Sequence, residues 1–203
     1  MTITAIKEQT TRSNWFSVYV DGRYSFSLNA DSLLTSKLAV GAQLNEQRLQ
    51  QLRYQSEEDK AYERTLRYVM IRLRSEWEVR TYLKRKAIEG EHIQQIVERL
   101  RSQRLIDDEA FARNWVTSRQ SLKKASKRRM SRELQQKHID ETIISTILSE
   151  DSVDERRTLR QLVEQKRRQP RYRHDELRLM QYLSRQGYSY GDIKAVLGEL
   201  QVS

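Results

Sequence analysis

The sequence has no cysteine, one proline (Pro170) and only six glycines in 203 residues. Without cysteine there is no disulfide framework, no thiolate metal site and no cysteine nucleophile. So few turn formers disfavour an all-β fold, which needs many tight turns, and favour helices. No apolar run approaches the length of a membrane span. Met1-Thr2-Ile3-Thr4 lacks the basic start and apolar stretch of a signal peptide. The expectation is a soluble cytoplasmic protein with no membrane partner. The phosphate loop Gly-x-x-x-x-Gly-Lys and the dinucleotide turn Gly-x-Gly-x-x-Gly are both missing. His92, His138 and His174 are scattered, with no partner at metal-ligand spacing, and read as ordinary surface or helix-end histidines. No catalytic residue, metal or cofactor is expected, and the chain reads as a non-enzyme.

Charge is plentiful. Charged residues make up 33% of the chain against 37% hydrophobic, so the core is thin and the surface highly charged. The net charge of +10 is uneven. Residues 1–60 are neutral and most of the excess falls in residues 111–203, which points to a polyanionic partner there. A strongly basic surface also argues for a monomer.

A leucine-anchored pattern recurs about every 50 residues. Its three copies contain Leu83 with Ile88, Ile93, Ile96, Val97 and Leu100, then Leu134 with Ile139, Ile143, Ile147 and Leu148. The third has Leu183 with Tyr188, Ile193, Val196, Leu197 and Leu200. A period of this size predicts stacked helical units, each too small to bury its own apolar face. The fold class expected is mainly α. Tandem three-helix repeats at 57–104, 105–150 and 151–203 form an elongated array behind a small β-rich module at 1–56.

In that module Phe16, Val18 and Val20 alternate, Asp21-Gly22 signals a hairpin turn, and Tyr24, Phe26 and Leu28 alternate on the return. Ile3 to Lys7 offers a third strand. Two short helices should follow, the second capped by Asn45 with Leu44 and Leu49 as a hydrophobic staple. Glu57-Glu58-Asp59-Lys60 reads as a junction, with a new helix at about 60–74 burying Tyr62, Leu66, Val69, Met70 and Leu73. Ser75 to Glu78 and Ser152 to Glu155 read as capping boxes, and Gly90 breaks the chain before the third helix of the first repeat. Asp107, Ser126 and Asp140 read as further N-caps, and Gly187 as a C-cap. Asp107-Asp108-Glu109 fits a helix start better than a cation site. Phe111 and Trp115, one turn apart, should be buried core anchors, and Trp77 also reads as core.

Two basic clusters are the candidate binding residues. The first is Lys123, Lys124, Lys127, Arg128, Arg129 and Arg132, spanning a loop and the start of a helix, where the helix terminus adds partial positive charge toward phosphates. The second is Lys166, Arg167, Arg168, Arg171 and Arg173 around Pro170, in an expected loop. Tyr172 lies within it as a platform for a base, against the alternative of a solvated loop. A mixed-charge surface around Trp77 and Tyr82 suits a protein partner as well as DNA.

The segment Leu105-Ile106-Asp107-Asp108-Glu109-Ala110-Phe111-Ala112, with Ser75-Glu76-Trp77-Glu78-Val79, Leu83 and Lys86 before it, resembles the bacterial regulatory protein RecX family. So does the ending Arg185-Gln186-Gly187-Tyr188-Ser189-Tyr190-Gly191-Asp192-Ile193. The resemblance covers about residues 60–200. It implies an all-helical modular protein that binds the RecA recombinase and lies along the groove of the RecA–single-stranded DNA filament. It further implies inhibition of the filament's ATPase, strand-exchange and coprotease activities. The residues themselves leave a second reading open, a helical protein whose main partner is DNA itself.

Overall fold

The computed structural model describes residues 1–151 and 154–202, with the backbone alone for Lys123, Gln201 and Val202. Contacts divide the chain into two units. One comprises Met1–Arg72 and Val79–Leu105, the other Leu73–Glu78 and Ile106–Ser203.

The first unit opens with an antiparallel sheet of β1 (Ile3–Glu8), β2 (Trp15–Val20) and β3 (Arg23–Asn29), in that order. Asp21 and Gly22 both have positive φ, as a two-residue hairpin turn of the primed type requires. Val18 and Val20 pack against Phe26 and Leu28, with Ile3, Leu44, Leu49 and Leu52 completing the core. Tyr24 departs from the expected alternation and is exposed. The register shifts by one residue between Val18 and Tyr19, and such a bulge turns the next side chain to the other face.

A short helix α1 (Ala30–Thr35) follows, capped by Asn29, whose side chain accepts from the Ser32 amide. Then α2 (Glu46–Met70) runs 25 residues. Asn45 caps it, its Oδ1 accepting from the Arg48 amide at 2.7 Å, and Leu44 and Leu49 are buried together as the staple. The junction expected at 57–60 falls inside this helix. Residues 46–70 contain no glycine or proline, and Glu57 pairs with Lys60 one turn on at 2.9 Å, so nothing stops the helix. Ser56 is itself stapled to the sheet, donating to the Ser27 carbonyl at 2.6 Å and accepting from the Ser27 amide. The helix ends at Met70, so the expected stripe stops at Val69, and Met70 and Leu73 are exposed.

Beyond it α3 (Glu76–Arg85) and α4 (Gly90–Ser102) complete the first repeat, with His92, Ile93, Ile96, Val97 and Leu100 buried along α4. His92 is therefore not a surface histidine. Its ring stacks on Tyr54 of α2 with centroids 3.9 Å apart. These contacts set the outcome of truncation. A fragment starting at 57 loses Tyr54 and Ser56, whereas one starting at 46 keeps them. Both are expected to unfold cooperatively, because repeat stability is local, with the fragment from 57 the less stable in urea. Loss of cooperativity in both would mean that the sheet completes the core of the repeats.

The second unit holds α5 (Asp108–Lys123), α6 (Lys127–Gln135) and α7 (Glu141–Glu150), then α8 (Glu155–Arg167), a short α9 (Pro170–Arg173), α10 (Glu176–Arg185) and α11 (Tyr190–Val202). Asp107, Ser126, Asp140, Asp154 and Asp175 cap α5, α6, α7, α8 and α10 through side-chain oxygens. Of the box expected at Ser152–Glu155, Ser152 and Val153 lie outside the described residues, and Asp154 is the cap. Pro170 starts α9, where its missing amide costs nothing. One core gathers Phe111, Ala112, Val116, Met130, Leu134, Ile139, Ile144 and Ile147. Another gathers Leu159, Leu162, Val163, Tyr172, Leu179, Leu183, Tyr188, Ile193, Val196 and Leu197.

The anchor leucines share one piece of backbone chemistry. The amides of Ile88, Ile139 and Tyr188 donate back to the carbonyls of Leu83, Leu134 and Leu183. The residues just before those donors, Ala87, His138 and Gly187, have φ of 56°, 55° and 95°. This is the Schellman ending of a helix, in which a left-handed residue reverses the chain and the residue after it folds back on the leucine. The recurring Leu-to-apolar spacing of five is the imprint of that turn.

Candidate functional site, the two basic clusters

The first cluster is held by a tight connection between α5 and α6. Lys124 is left-handed (φ 48°), which ends α5 and lets Ser126 start α6 two residues later. Its six cations then fall into different roles. The amide of Lys127 donates to Glu155 at 2.7 Å and its Nζ to the Asp151 carbonyl at 2.7 Å. Arg129 is half-buried. Its guanidinium donates to Glu133 at 2.8 Å, to the Arg185 carbonyl at 3.0 Å and to the Gln186 side chain at 2.8 Å. These two are internal fasteners. Arg128 and Arg132, on one face of α6, are exposed and bond to no described side chain. Lys123 ends α5, with its side chain outside the described atoms.

The second cluster is not a loop. Its residues lie on the end of α8 and on α9. Tyr172 is 7% exposed and sits in the third-repeat core, so it offers no face to a base. The tyrosine succeeds as a core residue because the four-residue α9 turns it inward. Lys166 lies 4.7 Å above the Tyr182 ring, and Arg167 reaches the Leu200 carbonyl. Arg168, Arg171 and Arg173 are exposed.

Sequence spacing gave no sign that the two clusters meet. They do so at an open cleft of about 400 Å³ that Lys124, Arg129 and Lys166 line together with Gln165, Tyr182 and Gln186. Cations and amide groups around a cleft of this size are suited to phosphate oxygens. The surface expected around Trp77 is also changed. Trp77 is 38% exposed and not core, and its ring stacks on His138 with centroids 4.6 Å apart. Among the described residues no group of His, Asp or Glu could hold a metal ion, and no helix is long and apolar enough to cross a membrane.

The chain matches the family model of the RecX N-terminal domain over residues 1–45. It also matches the first three-helix domain of RecX over 61–100 and the second over 107–148. A regulatory protein RecX of Geobacillus kaustophilus is 31% identical over 201 residues, 96% of this chain and 75% of that protein. The chain belongs to the RecX family. The regulatory protein RecX of Bacillus subtilis is 27% identical over 203 residues, 98% of this chain and 77% of that protein. A crystal structure of a regulatory protein RecX matches with a TM-score of 0.77 and 26% identity, covering 97% of this chain and 98% of that one. RecX from Lactobacillus salivarius matches with a TM-score of 0.61 and 25% identity, over 72% of this chain and 98% of that one.

In this RecX chain the residue that organises the first cluster is Glu133, which sequence reasoning passed over. Its carboxylate accepts from Trp115 Nε1 at 3.0 Å, Arg119 at 2.5 Å and Arg129 at 2.8 Å. The Arg129–Glu133 spacing of four was a legible signal. Trp115 and Arg119, 18 and 14 residues away, were not. Burial raises the Glu133 pKa, but the hydrogen bonds from Arg129, Arg119 and Trp115 outweigh it and hold the carboxyl below its ordinary value of 4.5. A carboxylate whose pKa falls on folding contributes stability above its unfolded pKa. That contribution is lost as pH drops through the lower, folded value. The urea midpoint of the wild type is therefore expected to fall below about pH 4.5 more steeply than that of Glu133→Gln. Parallel pH profiles would show that Glu133 carries no such charge-dependent stability.

Proposed function

We propose that this chain binds the RecA recombinase and its filament on single-stranded DNA, in the cytoplasm, and restrains the filament's ATPase, strand-exchange and coprotease activities. It acts by binding and not by catalysis. The observation that carries this reading is membership of the RecX family along nearly the full length of the chain. A binding protein inhibits by differential affinity, so it must favour a filament state of low activity or cover the place where the next subunit adds.

The cation-lined cleft supports a phosphate or acidic contact there. In this reading Lys124 and Lys166 line the contact, exposed Arg132, Arg168, Arg171 and Arg173 add positive charge on the same unit, and exposed Arg128 lines a separate cavity with Glu155. Lys123 belongs to the same segment. Lys127, Arg129 and Arg167 are engaged internally and add only their charge. The same cleft favours a second reading, in which DNA itself is the main partner. Salt separates the two, because affinity resting on phosphate contacts falls steeply as salt rises.

The test is capture of RecA by this protein with and without single-stranded DNA, together with inhibition of the filament's ATPase. Reversing Arg132 and Arg168, both exposed, to glutamate is expected to leave the helical circular-dichroism signal intact. It should weaken filament binding at least tenfold, about 1.4 kcal/mol, and flatten its salt dependence. Lys127 and Arg128 are left unchanged, because a glutamate at 127 would face Glu155 and the Asp151 carbonyl, and one at 128 would share a cavity with Asp154 and Glu155. A double variant that inhibits the ATPase at the wild-type concentration would move the binding surface elsewhere, to the region of Trp77 and Tyr82.

A further inference from the structure

The second unit contains two joints built to one plan. At each, the first turn of a middle helix plugs into the next repeat. Ser75, the residue before α3, donates its hydroxyl to the Lys137 carbonyl, beside left-handed His138. Ser126, the residue before α6, donates its amide to the Gln186 carbonyl, beside left-handed Gly187. The next amide in each plug finds a carboxylate at the start of the receiving repeat's first helix. Glu76 donates to Asp108 at 2.8 Å and Lys127 to Glu155 at 2.7 Å. One residue further, Trp77 covers His138, and Arg128 lines a cavity of about 300 Å³ with Glu155, Gly187 and Tyr188.

Two plugs thus dock on the second and third repeats. The plan also has a plug on the third repeat and a socket on the first. The plug is Asp175-Glu176-Leu177 at the start of α10. Leu177, at the position of Trp77, is 67% exposed. The socket is an open cavity of about 330 Å³ lined by Arg53, Tyr54, Glu57, Ala87, Ile88, Glu89 and His92. Left-handed Ala87, with Ile88 after it, stands where Gly187 and Tyr188 stand in the third repeat, and Glu57 supplies a carboxylate, though from within α2 and not from a helix start. Both sides carry mixed charge, with opposite excess. Glu57 and Glu89 line the socket against one arginine, Arg53, whereas the plug's Asp175 and Glu176 are outnumbered by exposed Arg171, Arg173 and Arg178 beside them.

We propose that the third-repeat plug of one copy seats in the first-repeat socket of a second copy, so that the protein associates head to tail. A contact between two different surfaces does not close on itself, so the association can extend beyond a dimer. The net charge of +10 opposes it, and dense association is expected where a polyanionic partner offsets that charge.

The absence of cysteine makes a direct test simple, because each introduced thiol is unique. Leu177→Cys and Ala87→Cys proteins are mixed and oxidised in air. A disulfide-linked pair of the two variants is expected at ten or more times the yield from Leu122→Cys mixed with Ala87→Cys, Leu122 being an exposed control on α5. The protein carrying both changes should form a ladder of multimers. In sedimentation velocity the wild type should grow with concentration, and Leu177→Glu should need at least tenfold more protein for the same shift. A mixed yield no higher than the control, or Ala87→Cys pairing with itself as readily as with Leu177→Cys, overturns the proposal. So does a wild-type sedimentation coefficient that matches Leu177→Glu at every concentration.

Discussion

Gly187→Ala is expected to cost about 3–5 kcal/mol of stability, read as a lowered urea midpoint of the helical signal. Left-handed backbone alone does not demand glycine at this place. Ala87 and His138 occupy the same position in the other repeats with φ near 55° and carry side chains. The difference at Gly187 is close approach. A Cβ there would lie 2.3 Å from Ser126 Oγ and 2.7 Å from Arg129 Cβ, well inside contact distance. Ser126 also donates its amide to the Gln186 carbonyl, and Arg129 bonds to the same turn, so neither can retreat without breaking the joint. The loss should therefore appear with weakened coupling of the third repeat to the second. It should be rescued in part by Ser126→Gly, which removes the nearer obstacle at the expense of a helix cap. A cost under about 1 kcal/mol would leave only the strain of a left-handed alanine and would show that the joint can open freely.

Phe111→Ala should cost about 3–5 kcal/mol, and Trp115→Ala about half of that, although tryptophan is the larger side chain. Phe111 is 3% exposed in the second-repeat core. Trp115 is only half-buried at its edge. Its ring lies 5.6 Å from Phe111, with the Arg119 guanidinium 4.2 Å away and the Lys137 ammonium 5.5 Å away. Its truncation removes a hydrogen bond to Glu133 and two cation–ring contacts but empties little core. The order of the two urea midpoints checks this. If Trp115→Ala proved the more damaging, the ring and its charged neighbours would be the true centre of the repeat.

The expectation that both rings are core anchors was half met, and the reason is general to this chain. Spacing on a helix says which side chains share a face. It does not say how far across that face the neighbouring helix reaches. Trp77 was misjudged in the same way and Tyr172 in the opposite direction, while His92 stands at a helix end, as expected, but is buried there. Each depends on a partner many residues distant, His138 for Trp77, the third-repeat core for Tyr172 and Tyr54 for His92. The basic clusters show the same limit. Their composition was plain, but what separates the fasteners Lys127 and Arg129 from the exposed Arg128 and Arg132 is the presence of Glu155, Asp151 and Gln186.

Local chemistry was enough for the rest. Asn45, Ser75, Asp107, Ser126 and Asp140 begin helices because a short polar side chain can accept from an amide two or three residues on, and that needs no tertiary partner. The Asp21-Gly22 turn and the leucine-anchored helix endings are local in the same sense, since their bonds close within a few residues. These local signals were enough to read a β-hairpin module followed by a mainly helical chain with a leucine-anchored helix ending about every 50 residues, whereas α9, which adds a fourth helix beyond residue 151, was read as a loop. The tertiary structure alone decided that α2 runs unbroken from the sheet into the first repeat, that Tyr24 turns outward, and that two separated basic stretches border one cleft. Those features depend on which surfaces meet across long stretches of chain, and the free energy of such meetings is written in no single segment.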